Sequence, residues 1–262
     1  MVEHMGAQFL LSMTTGIFIG GAAGYLGSLM LSKRMALVAG PLGHLTLPGI
    51  ALALLYGFNV SLGAFPFVIL GIILIWLFEI RTKLPMEALT AIVFSSGVAV
   101  AFLFLPIEQA ETALVGDISR VNLWEAFVSV IVTSIVFLVL KKMYSGMVLI
   151  SISEDLAKSE GMDVRKYNLI YLVLIAIIVA LGVKMVGGLL TAALVAIPAA
   201  AARNISTKLA HYSFGATIIG AMSSFIGILF AEISKFSAGP LIILTNTGIF
   251  LISLVFKNRG RR

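Results

Sequence analysis

The stretch from Lys33 to Gly57 reads KRMALVAGPLGHLTLPGIALALLYG, and the interpretation of the whole chain starts from it. It begins with two cations, continues as an apolar run, and is interrupted at Gly40-Pro41 and again at Pro48-Gly49. His44 lies between the two interruptions. If a helix enters a bilayer near Met35, a rise of about 1.5 Å per residue puts His44 roughly 13 Å deep. That depth is close to the middle of a hydrocarbon layer about 30 Å thick.

His44 has two interpretations. An ionisable side chain at that depth is expensive to retain, and by default it marks a transport path or a binding site. The alternative is structural, because a neutral histidine can donate one ring N–H to a neighbouring helix. Interrupted helices in membrane proteins line cavities where freed carbonyl groups can be used, so the two proline breaks favour function. The sequence predicts His44 as a path residue and leaves the structural role open.

The composition excludes a soluble globular domain. Of the 262 residues, 60% are hydrophobic and 11% are charged, and the mean hydropathy is +1.10; about 25% charged residues is typical of soluble domains. We expect a single all-α integral membrane domain over residues 1–262, in the cell membrane. The acidic start of the chain favours a membrane span over a removable signal peptide. Nine apolar spans are predicted near residues 8–31, 35–56, 62–78, 87–106, 122–140, 167–183, 186–202, 212–231 and 239–256.

The positive charges fall mostly on one side of these spans. When the loops are assigned alternately, fifteen of the eighteen cations collect on one face, and Arg120, Lys184 and Lys235 remain on the other. This bias is typical of a polytopic protein whose basic loops are cytoplasmic, so we predict the N-terminus outside and the C-terminus inside. The net charge of +6 therefore reports topology and gives no reason to expect a nucleic-acid partner. If span 186–202 is re-entrant, the count falls to eight, and the cation bias argues against that.

Two local patterns predict packing and a surface helix. In the first span Gly16, Gly20, Gly24 and Gly27 recur at helical spacing, which is typical of a face where helix backbones approach closely. In the longest inner loop, residues 153–161 read SEDLAKSEG. Ser153 caps a short helix with an acidic first turn, and Gly161 ends it. This helix either rests on the lipid headgroups or docks a soluble partner.

Four blocks of the chain resemble a known family. KRMALVAGPLGHLTLPGIAL, PMEALTAIVFSSGVAVAFLFL, SEDLAKSEGMDV and VGGLLTAALVAIPAAAA occur in that order. The pattern is similar to the permease subunits of ATP-binding-cassette importers for zinc, manganese or iron, the ABC-3 family, and it covers essentially the whole chain.

The resemblance implies a set of partners. Members of the family form permease homodimers, are contacted by a separate cytoplasmic ATPase, and receive metal from an extracellular or periplasmic metal-binding protein. The chain would then be no enzyme and bind no cofactor of its own, with ATP on the partner subunit and a divalent metal ion as the transported substrate. The family's ATPase-docking stretch matches Glu154, Asp155, Leu156, Ala157 and Gly161 of this sequence.

The sequence departs from the family at one position. The family's second-helix pattern carries an aspartate four residues before the histidine, and that pair is taken to hold the metal. Here the histidine is His44, but the aspartate position is Gly40. Two copies of His44 could converge in a dimer, with freed carbonyl groups near Gly40 or water completing the shell, or the substrate differs from a bare divalent cation.

Two other classes of function stay open. A secondary transporter driven by a proton or sodium gradient would use His44 as its titrating group. The scarcity of carboxylates within the spans counts against it, because such carriers usually keep an Asp or Glu there. A structural membrane protein without transport activity is the third class, and the capped inner-loop helix favours the importer over it.

Overall fold

A computed structural model describes residues 2–33, 43–58, 60–82, 84, 86–104, 116, 118, 121–188 and 190–256. Throughout these residues the regular structure is helical, which confirms the predicted all-α class. The ten α-helices are α1 (Val2–Ser32), α2 (Leu47–Tyr56), α3 (Val60–Thr82), α4 (Met86–Phe104), α5 (Leu123–Ile152), α6 (Glu154–Ser159), α7 (Val164–Val186), α8 (Thr191–Ile205), α9 (Leu209–Ser234) and α10 (Ala238–Val255).

Helices α1 and α9 approach each other through the glycine face predicted in the first span. A Cβ atom on Gly20 would overlap the Ser224 side chain and lie 2.5 Å from the Gly220 carbonyl oxygen. A Cβ atom on Gly24 would overlap the carbonyl oxygen of Ala216. Only glycine permits backbones this close, because every other residue adds an atom where the partner's main chain lies. The predicted packing face is therefore confirmed, and its main partner is α9.

The remaining faces of α1 are covered by α5 and α8. The Tyr25 ring lies 4.8 Å from Phe137 and 5.3 Å from Tyr144, both on α5. The Ser28 and Tyr144 hydroxyls are hydrogen-bonded at 3.2 Å. Gly27 faces the Val195 carbonyl group of α8 so closely that a Cβ atom there would overlap it. Together with α7, α1 is the most buried of the long helices, and both lie at the centre of the bundle.

Helices α2, α3 and α4 form a second group, joined to the centre by contacts between α3 and α7. Gly49 of α2 and Gly63 of α3 meet backbone to backbone. Pro48 lies in the first turn of α2, where its missing N–H leaves no helical hydrogen bond unmade. The predicted interruption at Pro48-Gly49 is thus the start of α2, while Gly40-Pro41 lies outside the described residues.

The helices do not by themselves establish the nine membrane spans predicted from the sequence. Within the described ranges, six helices are long and apolar enough to cross a membrane by length and composition, and two shorter apolar helices cover Ala88–Leu103 and Thr191–Ile205. Helix α2 has 10 residues. The spans 167–183 and 186–202 are separate helices joined at Gly187, whose φ of 86° favours glycine. The number of crossings and the sides of the termini remain predictions.

The α1–α9 contact predicts opposite effects for one substitution at two sites. We expect Gly24→Ala to lower the melting temperature, because overpacking at the Ala216 carbonyl group costs about 1–3 kcal/mol. Gly248→Ala is the matched control, since no atom lies within 4 Å of a Cβ there and alanine gains up to about 1 kcal/mol of helix propensity. Thermal unfolding of the two purified variants in detergent measures the difference. Equal melting temperatures would contradict the close packing.

Candidate functional site

His44 lies in a single helical turn directly before α2. Gly43 and His44 are helical, and the Thr46 hydroxyl donates a hydrogen bond of 2.6 Å to the Gly43 carbonyl oxygen. The Gly43 carbonyl oxygen also accepts from the Thr46 N–H at 3.4 Å. The Thr46 side chain therefore closes the turn, and the chain continues from it into the proline-started helix.

Glycines on two helices and in the connection between α7 and α8 hold this turn in place. Gly43 lies against Gly188, between α7 and α8, where a Cβ on Gly43 would be 2.6 Å from the Gly188 carbonyl oxygen. Leu45 is buried between α3 and α4. A Cβ atom would be 2.6 Å from its side chain at Gly71 and 2.8 Å at Gly97. The backbone on both sides of His44 is thus anchored by tight packing.

The imidazole of His44 is only half-buried. Its ring lies 5.4 Å from the Phe94 ring of α4 at an angle of 43°. No hydrogen bond from the described residues reaches the imidazole, so the structural role weighed above has no partner within this part of the chain. The ring nitrogens are therefore left for a ligand as far as the described residues go.

Helix α4, which packs on this turn, exposes a stripe of residues on its opposite side. Ile92, Ser95, Ser96, Val100 and Leu103 are exposed and recur at helical spacing. The stripe is apolar apart from the two serines. Phe94, which contacts His44, lies on the other side of α4, because successive residues of a helix are about 100° apart. The stripe therefore faces away from His44, and the imidazole contacts the more buried side of α4.

The described residues do not assemble a metal cage. Among them no group of three or more His, Asp or Glu residues comes together. His44 is thus a single candidate ligand, and Gly40, the other predicted position, lies outside the described residues. One imidazole falls short of the three or four protein ligands usual for zinc.

The predicted inner-loop residues come together in α6. The Ser153 hydroxyl accepts a hydrogen bond of 3.2 Å from the Leu156 N–H, and Lys158 pairs with Glu154 at 3.9 Å and Asp155 at 3.6 Å. Gly161 follows with φ 78°, and the Met162 N–H donates to the Ala157 carbonyl oxygen at 3.0 Å, as in a glycine-terminated helix end.

Helix α6 has one buried and one open side. Ala157 is fully buried, whereas Leu156 is 48% exposed. Met162 and Tyr167 pack against Gly146 of α5, which holds the segment to the end of that helix. The acidic residues and Leu156 are thereby left on the surface. The arrangement can offer a short, firmly seated helix to another molecule.

Lys33 is a functional candidate that the sequence marked only as a topology signal. Its ammonium group donates a hydrogen bond of 3.0 Å to Asn168 of α7 and lies 5.3 Å from the Tyr171 ring centroid. Burial lowers the pKa of Lys33, and the negative charges of Glu154 and Glu79 partly offset this. Lys33 thus connects the end of α1 with α7 and with the charge on α6.

A cavity lies between α1, α3, α5 and α7. It has a volume of about 550 Å³ and is mostly apolar, with Trp124, Glu125 and Lys184 among its lining residues. The Lys184 ammonium and the Glu125 carboxylate form an ion pair of 2.5 Å, and both side chains are largely buried. None of the predicted site residues lines this cavity. The pair is separated by 59 positions, so no local pattern signals it.

These features define a multi-pass helical membrane protein, and comparison with known proteins identifies its family. The sequence profile of the ABC 3 transport family matches residues 7–257. The chain belongs to this family, which confirms the resemblance drawn from its sequence. It is a multi-pass protein of the cell membrane and a permease subunit, and the ATPase of such a transporter is a separate subunit.

Named relatives cover nearly the full chain. The manganese import system permease protein ScaB of Streptococcus gordonii is 28% identical over 254 residues, covering 95% of this chain and 91% of ScaB. The high-affinity zinc uptake system membrane protein ZnuB of Buchnera aphidicola is 27% identical, covering 95% of this chain and 98% of ZnuB. A solved structure of PsaBC from Streptococcus pneumoniae in complex with Fab matches with a TM-score of 0.82 and 26% identity, over 100% of this chain and 98% of that one.

Proposed function

We propose that the chain is the membrane permease subunit of an ATP-driven importer of divalent metal ions, zinc, manganese or iron, and provides the translocation path. Relatives named for manganese and for zinc import match it along almost its whole length. The observation within the chain that carries the proposal is the half-buried imidazole of His44, which receives no hydrogen bond from the described residues. Neutral imidazole is a good ligand for zinc and for related transition metals.

The proposed path lies between two identical permease chains. The described residues supply one candidate ligand, His44, so a metal needs further donors from elsewhere. A second copy would contribute its own His44, and carbonyl groups near Gly40 or water would complete the shell.

We infer that α6 couples the permease to its ATPase. The helix presents Glu154, Asp155 and a half-exposed Leu156, while Ala157 anchors it to the bundle. A short helix that is fixed on one side and open on the other suits a groove on a soluble partner. Lys33 would transmit movement of this region to α1, since it contacts α7 and is in the field of Glu154.

We further propose nine crossings with the N-terminus outside and the C-terminus and α6 in the cytoplasm. The cation bias is the basis of this topology. The outer face would receive metal from an extracellular or periplasmic metal-binding protein.

Single cysteines test the topology, because the chain contains none of its own. We expect Ser159→Cys to react with an impermeant maleimide only from the cytoplasmic side and Thr112→Cys only from outside. Labelling is measured in intact cells and in inverted membrane vesicles. Labelling of both positions from outside would overturn the proposed orientation.

Leu156→Asp tests coupling. We expect the variant to insert and fold normally but to lose co-purification with the ATPase and stimulation of ATP hydrolysis, because an exposed apolar contact becomes charged. Phe236→Asp is the control, since this residue is 73% exposed between α9 and α10 on the proposed outer side. If ATPase binding and hydrolysis remain at the control level, α6 does not dock the ATPase, and the remaining interpretation is that it rests on the lipid headgroups.

His44→Ala tests the metal path. We expect uptake of radioactive metal by proteoliposomes of the full complex to fall by at least about tenfold, as expected for loss of a metal ligand. Protein yield and melting temperature should stay nearly unchanged, since the described residues give His44 no hydrogen bond to lose. His211→Ala, at an exposed histidine, is the control.

Gly40→Asp complements this variant. If residues 40 and 44 share a helix face, the added carboxylate should raise the affinity for zinc or manganese, because it supplies charge beside the imidazole. If His44 is structural, the same substitution instead buries an unpaired charge and lowers expression. Full uptake by a well-expressed His44→Ala protein would remove His44 from the path.

A further inference from the structure

A second, polar cavity lies where α8 ends and α9 begins. It has a volume of about 190 Å³, and its lining includes Arg203, Ser206, Thr207, Lys208 and Tyr212. Among the described residues that line it there are two cations and three small hydroxyl side chains, those of Ser32, Ser206 and Thr207, and no Asp or Glu. The cavity therefore offers donors and positive charge without a negative counter-charge in its wall.

The first turn of α9 adds main-chain donors to this cavity. The residue before the helix is Lys208, with φ −109° and ψ 148°, and no side chain caps the helix there. The first N–H groups of an α-helix have no partner within the helix. In a helix of 26 residues they also carry the positive end of the dipole, which favours an anion.

Tyr212 supplies an independent sign that a ligand is missing. The residue is 6% exposed and lines the cavity, and its hydroxyl is buried without a hydrogen-bond partner among the described residues. Arg203 acts on the hydroxyl electrostatically, but no hydrogen bond of good geometry joins the two. The hydroxyls of Thr15, Thr133 and Tyr171 are unpaired within the described ranges as well, but Tyr212 is the member of this group that lines the polar cavity. Buried hydroxyl groups are usually paired, so a ligand in the cavity would supply the partner that Tyr212 lacks.

Exposed apolar side chains lie next to the cavity. Leu209 lines the cavity, and Ile205, Leu209 and Phe214 are all exposed apolar residues near it in the chain. Arg203 and Lys208 are exposed as well. Cations beside exposed apolar side chains are typical of the depth at which lipid headgroups lie.

We propose that this cavity binds a phosphate group, held by Arg203, Lys208, the first N–H groups of α9 and the Tyr212 hydroxyl. Arginine suits phosphate because its planar fork donates two parallel hydrogen bonds. The exposed apolar rim favours the headgroup of an anionic phospholipid as the source, and soluble phosphate shares the same chemistry. The site requires no metal and lies apart from His44, so it stands independently of the proposed transport function.

The lipid source is tested with the purified full-length chain in nanodiscs of equal phosphatidylcholine and phosphatidylglycerol. Native mass spectrometry measures the phosphatidylglycerol that each protein retains. We expect Arg203→Gln and Lys208→Gln each to retain about tenfold less than wild type, as for loss of one charge-assisted hydrogen bond. Tyr212→Phe, which removes only the hydroxyl, should retain several-fold less. The control is Lys142→Gln, an exposed cation near the same end of the bundle, which should match wild type.

The soluble source is tested in nanodiscs of phosphatidylcholine alone with added inorganic phosphate. A rise in melting temperature for wild type and Lys142→Gln, absent in Arg203→Gln, would support the site with soluble phosphate as its ligand. Equal lipid retention by Arg203→Gln and Lys142→Gln, together with no phosphate-dependent rise in wild type, would overturn the proposal.

Discussion

The backbone contact between α1 and α9 is the constraint on which the rest of the bundle depends. In a lipid environment helices gain little from burying apolar side chains, so association relies on close packing. Gly20 and Gly24 bring α1 against Gly220 and Ala216 with no side chain between the backbones. With α1 fixed there, its other faces receive α5 and α8, and its end brings Lys33 to the start of α7. The polar contacts at that end are thus a consequence of packing within the spans.

Much of the local structure could be predicted from the sequence because its signals are short-range. The glycine face of α1 follows from helical spacing, and the cap at Ser153 and the stop at Gly161 each involve residues a few positions apart. The apolar pattern likewise gave the all-α class, although it did not decide how many helices cross the membrane. The sequence could not predict which helix packs on the glycine face of α1, because a stripe of small residues can pack against any helix that also has such a stripe.

The parts of the site that the sequence missed are long-range. Lys33 bonds Asn168 across 135 positions, and Lys184 finds Glu125 across the bundle. Each of these residues reads as an ordinary loop or helix-end residue when taken alone. The unpaired hydroxyl of Tyr212 could not be predicted either. A tyrosine in a membrane span predicts a packed aromatic ring, and the sequence does not show whether its hydroxyl has a hydrogen-bond partner. His44 was identified because its rarity in an apolar segment is visible without a fold.

The position of Leu45 has a mechanical consequence for the residue beside it. Its side chain fills the gap between Gly71 of α3 and Gly97 of α4, and neither glycine leaves slack around it. A relative sliding of those two helices therefore cannot leave Leu45 where it is, and the rotation it imposes is passed through one peptide unit to the imidazole. The orientation of the His44 ring therefore depends on the spacing of α3 and α4. A rigid-body movement of these helices would change that orientation without any local unfolding.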